Sequence, residues 1–401
     1  MKYIFVLFLF LSLYLEADYI AGVSRVKITP QYSVYLAGLG NNRKSEGVHD
    51  DIYATALYLS DGKTRLVILS LDLIGLFYED IEKARKEAGR KNSLQSTDII
   101  IACSHLHSGP DTLGLWGPNE FTSGVEEKYL QFVQQKIVEA IDIAIKSAKP
   151  ATLKVGQTTN SEVAYNSRDE NLLDPTVTML FVEDKNGKSI ANIVNYACHP
   201  EVLWSDNKLI TSDFVHYLRE LTEREIGGVT LFLNGALGGM VTPKVKEHTF
   251  AEAKRIGENL GQSILKAKES QEKIEKTKII HRVIKIKLPV ENPKFLLAAQ
   301  LEIMKRNMEG QAVDSEMHFL DIGGKLQILT NPGEALPKVG LALKSLLSTP
   351  YKMVIGLACD EIGYILPEEY FATQIYAYES SMSLGPKTAK ILLQAGKRLL
   401  K

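Results

Sequence analysis

The feature that most constrains the fold is a pair of histidines directly after a short β-branched run. Residues 97–102 read TDIIIA, and residues 103–110 read CSHLHSGP. The first segment predicts a buried strand, and the Gly and Pro predict that the strand ends in a loop. Side chains two positions apart on a strand share a face, so His105 and His107 should face one spot beyond the sheet edge. This arrangement suits a metal or catalytic site, and it equally suits two hydrogen-bonded histidines in a turn.

The rest of the chain predicts alternating strands and helices. Apolar residues at helical spacing predict helices over 77–91, 125–146, 212–224, 250–268, 295–308, 336–347 and 387–400. Buried runs between them predict strands over 64–73, 176–182, 190–197 and 229–233, and alternation predicts a half-exposed strand over 278–288. We therefore expect a single large α/β domain over residues 18–401, with a mixed β-sheet flanked by helices and the site at the strand ends.

The first 17 residues have the pattern of a signal peptide. Met1-Lys2 gives a positive start, residues 3–15 are mostly apolar, and Glu16 ends the run. This run is too short to span a bilayer comfortably, so it predicts export to the periplasm or out of the cell, with cleavage after Ala17. Leu15 is larger than the small residue expected two positions before the cut, which leaves an uncleaved N-terminal anchor as an alternative. A buried N-terminal strand is a further alternative.

Charge and cysteine content narrow the range of partners. The 47 basic and 48 acidic residues nearly balance and form no basic stripe, so we expect no nucleic-acid partner. The three cysteines, Cys103, Cys198 and Cys359, are too few and odd in number for a disulfide framework. Buried inert thiols are favoured, and a bridge between Cys103 and Cys198 or a metal role for them are the alternatives.

Further segments place chemically active side chains at predicted strand ends. Residues 195–200 read NYACHP, which delivers His199 into a proline turn, and residues 329–334 read LTNPGE, with Glu334 at the start of a predicted helix. A dense group of tyrosines follows, with Tyr364 and Tyr378 among them. Backbone hydrogen bonding, a helix-dipole contact and packing would explain the same residues without a site. The sequence has no G-x-S-x-G elbow, no nucleotide-binding glycine pattern and no H-E-x-x-H helix.

Taken in order, these segments resemble the catalytic domain of the neutral (non-lysosomal) ceramidases. The resemblance runs through residues 21–30, 47–54, 105–110, 199–200, 212–213, 234–243, 332–334, 363–364, 378–379 and 384–386. It implies an amidohydrolase that cleaves the N-acyl bond of ceramide or a similar N-acyl lipid. The partners implied are that lipid and, peripherally, a membrane surface.

The resemblance also implies a set of site residues. One catalytic zinc ion would be held by two histidines, a carboxylate and a tyrosine: His105, His199, Glu334 and Tyr364. Three more residues would act on the substrate, His107 by binding or protonating it, Arg168 by contacting the amide and Tyr378 by stabilising the oxyanion. Glu334 could instead act as the general base, but the resemblance favours a ligand, and Asp72 and Asp213 are then the candidates for the base.

The chain departs from the family pattern at several points. Gly239 stands where relatives commonly carry Asp, Thr242 where ceramidases have Ser, and Tyr376 competes with Tyr378. The immunoglobulin-like C-terminal domain of the family has no counterpart up to Lys401, which puts membrane-bound ceramide in question. A zinc hydrolase of a more polar amide or ester, and an inactive lipid- or glycan-binding relative, are therefore alternatives.

The loop over residues 112–121 is rich in large apolar side chains. These are Leu113, Leu115, Trp116 and Phe121. They predict an apolar wall for an acyl chain or a lid packed on the domain core.

Overall fold

The computed structural model describes residues 19–401, so the predicted signal peptide over 1–17 lies outside the described residues. The strands are β1 (Tyr19–Lys27), β2 (Gly47–Val48), β3 (Tyr53–Ser60), β4 (Arg65–Leu71), β5 (Ile99–Cys103), β6 (Lys149–Thr159), β7 (Ala164–Asn166), β8 (Thr176–Asp184), β9 (Ser189–Tyr196), β10 (Leu209–Ile210), β11 (Val229–Asn234), β12 (Val241–Pro243), β13 (Glu272–Lys273), β14 (Ile279–Pro289), β15 (Ala312–Ile322), β16 (Leu326–Thr330), β17 (Glu334–Ala335), β18 (Tyr351–Ile355) and β19 (Tyr364–Ile365). The helices are α1 (Tyr78–Asn92), α2 (Glu127–Lys146), α3 (Phe214–Glu225), α4 (Phe250–Glu269), α5 (Pro293–Gln300), α6 (Pro337–Ser345), α7 (Ala377–Ser381) and α8 (Thr388–Leu399). None of the helices within residues 19–401 combines the length and apolar character needed to cross a bilayer.

A large mixed sheet forms the centre of the molecule. Its strand order is β11-β9-β8-β6-β1-β3-β4-β5, and β13 pairs with β6. Most neighbours are antiparallel, whereas β4 pairs with β5 and β9 pairs with β11 in parallel. On β4, Leu66 and Ile68 pack on one face while Val67 and Leu69 pack on the other. Because both faces are apolar, both must be covered, which explains why this strand reads as a continuous apolar run.

Four helices cover one face of the large sheet. In α2 the buried side chains recur every three or four residues, as Leu130, Val133, Ile137 and Ile141. This spacing gives one apolar stripe that packs on the sheet, and each such side chain contributes about 1.5–3 kcal/mol on burial. Side chains from α1, α3 and α4 join the same core. The predicted mixed sheet with flanking helices is confirmed.

A second sheet covers the opposite face. It has the order β14-β15-β16-β18, and Leu320 and Ile328 pack against Leu180 and Ile193 of the large sheet. Its outer face carries α6 and α8, with Leu392 packed near Phe319 in one cluster. The result is four layers in the order helix, sheet, sheet, helix.

Two predicted elements differ from the structure. The helix predicted over 295–308 ends at Gln300, because Glu302 takes a left-handed backbone (φ 56°) that no helix continues through. Glu334 lies in the short strand β17 rather than in a first helical turn, since α6 begins only at Pro337.

Candidate metal centre

The site lies where strands of the two sheets end together. His105 follows β5, and His199 follows β9. Asn234, the last residue of β11, holds both loops with its buried side chain. Its Nδ2 donates to the carbonyl oxygens of Ser104 (2.8 Å) and Cys198 (2.9 Å), and its Oδ1 accepts from the Cys198 N–H (3.0 Å). One amide thus fixes the two histidine loops relative to each other.

A backbone carbonyl orients each of the imidazoles of His105 and His199. The Nδ1 of His105 lies 2.8 Å from the carbonyl oxygen of Ile74, and the Nδ1 of His199 lies 2.8 Å from that of Val241. A carbonyl only accepts, so Nδ1 carries the proton in both rings and Nε2 presents a bare lone pair. The two ring centroids are 5.0 Å apart, and both side chains are buried.

Glu334 lies between these two nitrogens. Its Oε2 is 3.3 Å from the Nε2 of His105 and 3.4 Å from the Nε2 of His199. Glu334 is only 6% exposed, so its carboxylate is poorly solvated unless a cation lies between these donors. Tyr364 is the direct partner of Glu334 in the parallel pairing of β17 with β19. Backbone pairing therefore brings the third and fourth predicted ligands side by side.

The donor atoms fit a divalent metal ion. The Nε2 of His199 and the Oε2 of Glu334 are buried and have no hydrogen-bond partner among the described residues. Ligand atoms of His105, His107 and His199 all lie within 4.8 Å of one another. Buried polar atoms left without a partner are costly, and a metal ion bound by imidazole and carboxylate would relieve that cost.

His107 has different neighbours from the other two histidines. Its Nδ1 lies 3.3 Å from the Oε2 of Glu201, whose Oε1 accepts a 2.7 Å hydrogen bond from the Thr242 hydroxyl. Gly38 (φ 95°) packs against the ring, and a Cβ there would overlap Nδ1. Burial, with the neighbouring histidines, holds the pKa of His107 well below its usual range. Glu201 was missed by sequence reasoning, because a single Glu after His-Pro forms no recognisable pattern.

A cavity with a mostly apolar lining opens onto these residues. His105, His107 and Glu334 line one part of it. Most of the remaining wall is large and apolar, and it includes Ile74, Phe77, Leu113, Leu115, Trp116, Phe295, Met304 and Met308. Phe121 is 69% exposed and is not part of this wall. The predicted apolar loop thus contributes three of its four large side chains to the cavity.

The two residues predicted to stabilise the oxyanion are connected to the predicted ligand Tyr364. Tyr378 lies beside Tyr364, and Arg168 bonds to the residue that follows Tyr378. The Tyr378 ring centroid is 5.8 Å from that of Tyr364, and Tyr378 lines the cavity, whereas Tyr376 does not. Tyr378 is 47% exposed, and its hydroxyl is protonated at neutral pH and can donate a hydrogen bond. The Arg168 Nε donates to the Oε1 of the fully buried Glu379 over 2.7 Å. Arg168 is thereby tied to the segment that carries Tyr378.

The two candidate bases are engaged elsewhere. Arg219 donates to both carboxylate oxygens of Asp72, over 2.6 and 2.7 Å. Asp213 caps α3 by accepting from the Phe214 N–H (2.6 Å), and burial raises its pKa to about 7. Neither residue lines the cavity.

A second buried group of metal-type side chains is already neutralised. Glu316, His318 and Cys359 bring one ligand atom each within 4.8 Å. The guanidinium of the fully buried Arg85 forms ion pairs with Glu316 and with Glu82. Arg85 therefore supplies the positive charge that balances Glu316, in the place where a metal ion would otherwise do so. All three cysteines are buried and free, so a Cys103–Cys198 bridge is wrong.

Comparisons with known proteins agree with this architecture. The sequence model described as "Neutral/alkaline non-lysosomal ceramidase, N-terminal" matches residues 19–250. Neutral ceramidase B of Dictyostelium discoideum is 26% identical over 234 residues, which cover 53% of this chain and 33% of that protein. The neutral ceramidase of Pseudomonas aeruginosa is 24% identical over 234 residues, or 53% of this chain and 34% of that protein. The chain thus matches about a third of the length of these relatives.

Solved structures show the same fold over a longer stretch. The crystal structure of neutral ceramidase from Pseudomonas aeruginosa superposes with a TM-score of 0.82 and 18% identity, covering 96% of this chain and 74% of that one. A structure described as a ceramidase complexed with C2 gives the same TM-score and identity, covering 96% and 75%. Since the family model matches more than half of the sequence, this chain belongs to the neutral/alkaline non-lysosomal ceramidase family.

Proposed function

We propose that this chain is a zinc-dependent amidohydrolase that cleaves the N-acyl amide bond of ceramide or a similar N-acyl lipid. The products are a fatty acid and a sphingoid base or another amine. One observation carries the proposal: buried, unpartnered nitrogen and carboxylate donors meet at the wall of an apolar cavity. The names of the relatives, which are neutral ceramidases, support the same substrate class.

The zinc ligands in this proposal are His105, His199, Glu334 and Tyr364. The hydrogen bonds at Nδ1 of both histidines support it, because they leave Nε2 free to bind a metal. When bound, zinc would supply Lewis-acid chemistry, polarising the amide carbonyl and making water a better nucleophile at neutral pH. His107 could also reach a metal, but its contact with Glu201 favours a role in proton transfer.

His107 is proposed to carry the proton to the leaving amine. Glu201 lies 3.3 Å from Nδ1, where its negative charge would stabilise the ring when Nε2 takes up a proton before donating it. Thr242 holds the other oxygen of Glu201, so the carboxylate keeps its orientation. This arrangement needs neither Asp72 nor Asp213.

Arg168 and Tyr378 are proposed to stabilise the negative charge that develops on the amide oxygen. Both are hydrogen-bond donors at neutral pH, and Glu379 holds the guanidinium in place. A preorganised donor of this kind contributes about 10²–10³-fold to the rate of acyl transfer.

The apolar wall supports a lipid over the polar amide or ester considered as an alternative. Each methylene of an acyl chain buried there contributes about 0.8 kcal/mol. Transient contact of the protein with a membrane surface, where such a lipid resides, is also proposed. Export by the predicted signal peptide is part of the same proposal.

Hydrolysis of matched lipids tests the proposal. Zinc-loaded protein is incubated with N-acyl sphingosines of increasing chain length, and the released fatty acid is quantified by mass spectrometry. We expect release from long-chain amides, and a loss of at least 10²-fold in His105→Ala. His216→Ala is the matched control, because His216 is a partly exposed histidine on α3 that contacts Asp50 and Glu220.

Two results would contradict the proposal. A zinc-loaded protein that hydrolyses no long-chain N-acyl amide would overturn the substrate class. Equal activity in wild type and His105→Ala would overturn the metal mechanism.

A further inference from the structure

One carboxyl group in the cavity wall has no part in the mechanism above. Glu361 lines the cavity and is only 4% exposed. Its Oε1 accepts a 2.8 Å hydrogen bond from the Gly363 N–H. Its Oε2 is buried and has no hydrogen-bond partner among the described residues. A buried polar atom in this state is unfavourable unless a ligand supplies the missing partner.

Glu361 lies near the metal-binding part of the cavity. Its side chain packs on Gly75, where a Cβ would come within 2.8 Å of its Cβ and Cγ. The preceding residue, Ile74, accepts the hydrogen bond that orients His105. Glu334 lies close enough for its charge to act on Glu361. A substrate group that reaches Glu361 is therefore close to the scissile amide.

Within residues 19–401, no basic side chain forms an ion pair with the Glu361 carboxyl group. The guanidinium of Arg306 donates to the Oδ2 of Asp360 (2.6 Å) and to the backbone carbonyl of Glu361 (2.9 Å), not to the Glu361 side chain. Burial raises the pKa of Glu361 well above its usual range, and the charge of Glu334 adds to this effect. In either protonation state its Oε2 can accept a hydrogen bond, and no described residue supplies the donor.

A hydroxyl group matches these properties best. It can donate to the unpartnered Oε2 of Glu361, and it can accept if that oxygen carries a proton. A purely apolar chain would leave Glu361 unpaired, and a site built to bind a hydroxyl rejects the analogue that lacks it.

We propose that Glu361 binds a substrate hydroxyl close to the scissile amide and thereby selects hydroxylated N-acyl lipids over their deoxy counterparts. The proposal rests on the proposed function for the identity of the scissile bond, but the binding preference itself does not require hydrolysis. This hydroxyl lies either on the acyl chain or on the amine portion of the lipid.

Ligand binding measured by tryptophan fluorescence tests the inference. The chain has two tryptophans, and Trp116 lines the cavity while Trp204 is outside it, so a Trp204→Phe background makes Trp116 the reporter. Zinc-loaded protein is titrated with palmitate and 2-hydroxypalmitate, and separately with sphinganine and 1-deoxysphinganine. We expect the hydroxylated member of one pair to bind about tenfold or more tightly, and that pair identifies the source.

Variants at Glu361 separate recognition from folding. We expect Glu361→Met to abolish the preference, so that both members of the pair bind about equally. Glu361→Gln should keep most of it, because an amide still donates and accepts. Glu79→Met is the matched control, since Glu79 is a half-buried carboxyl on α1 outside this cavity. No preference within either pair, or a preference that survives in Glu361→Met, would overturn the inference.

The inference and the proposed function fail in different ways. A binding preference without hydrolysis of any N-acyl amide would refute the proposed function and leave the role of Glu361 standing. Hydrolysis that does not distinguish hydroxylated from deoxy substrates, with no binding preference, would refute the role of Glu361 and leave the proposed function standing.

Discussion

The ion pair between Asp72 and Arg219 gives a quantitative test of the structure beside the site. The pair is bidentate, with distances of 2.6 and 2.7 Å, and the side chains are only 1% and 5% exposed. Asp72→Asn keeps an acceptor for the Tyr53 N–H but leaves the guanidinium buried without a counter-charge. Removing one partner of a buried pair costs about 3–5 kcal/mol, so we expect the free energy of unfolding to fall by that amount.

Urea unfolding followed by circular dichroism measures this loss. The slope of free energy against urea concentration should stay the same, since the surface exposed on unfolding does not change. Glu225→Gln is the control, because the Arg224–Glu225 pair is 62% and 44% exposed and such pairs contribute less than about 1 kcal/mol. A loss below about 1 kcal/mol in Asp72→Asn would refute the assignment of Asp72 to a structural ion pair.

Three further predictions concern single side chains around the site. The pKa of Asp213 is raised to about 7 in the folded protein. The unfolded chain releases this proton above about pH 4, whereas the folded protein keeps it up to about pH 7. The free energy of unfolding therefore falls as the pH rises between these two values. Wild type should therefore lose about 1–3 kcal/mol relative to Asp213→Asn between pH 5 and pH 7, and parallel stability profiles would contradict this. Thr242→Val removes the donor to Glu201 and should lower kcat/KM about tenfold, with recovery in Thr242→Ser, whereas equal loss in both variants would rule out the hydroxyl's role. Arg168→Gln removes a proposed oxyanion donor held by Glu379 and should lower kcat about 10²-fold with little change in zinc content, and an unchanged kcat would exclude it.

The sequence predicted the parts of the fold that follow from periodicity and strand-end chemistry. The run over residues 64–73 predicted a strand, and β4 (Arg65–Leu71) is that strand. The helical spacing in α2 likewise predicted the stripe that packs on the sheet. The second sheet between the large sheet and α6 and α8 was not predicted, because long-range pairing leaves no local pattern. The early end of α5 depends on a single left-handed residue, Glu302, which propensity does not reveal.

The candidate site was also predicted only in part from the sequence. Strand alternation predicted that His105 and His107 face one region. Both line the cavity, but β5 ends at Cys103 and His105 has a left-handed backbone (φ 65°), so the loop after β5, and not strand alternation, places them. Only three-dimensional packing distinguishes their neighbours. Ile74 orients the first ring through Nδ1, while Glu201 lies against Nδ1 of the second. Glu361 was also missed, since a carboxyl group within a tyrosine-rich loop gives no sign that one of its oxygens will be buried without a partner.

Zinc content measured by inductively coupled plasma mass spectrometry tests the central claim most directly. Wild type, His105→Ala, His107→Ala and the control His216→Ala are loaded with zinc, dialysed and compared. The assignment of His105 as a ligand and His107 as a proton carrier predicts one zinc ion per chain in wild type, His107→Ala and His216→Ala, and loss of zinc in His105→Ala. Full retention of zinc in His105→Ala, or its loss in His107→Ala, would contradict that assignment.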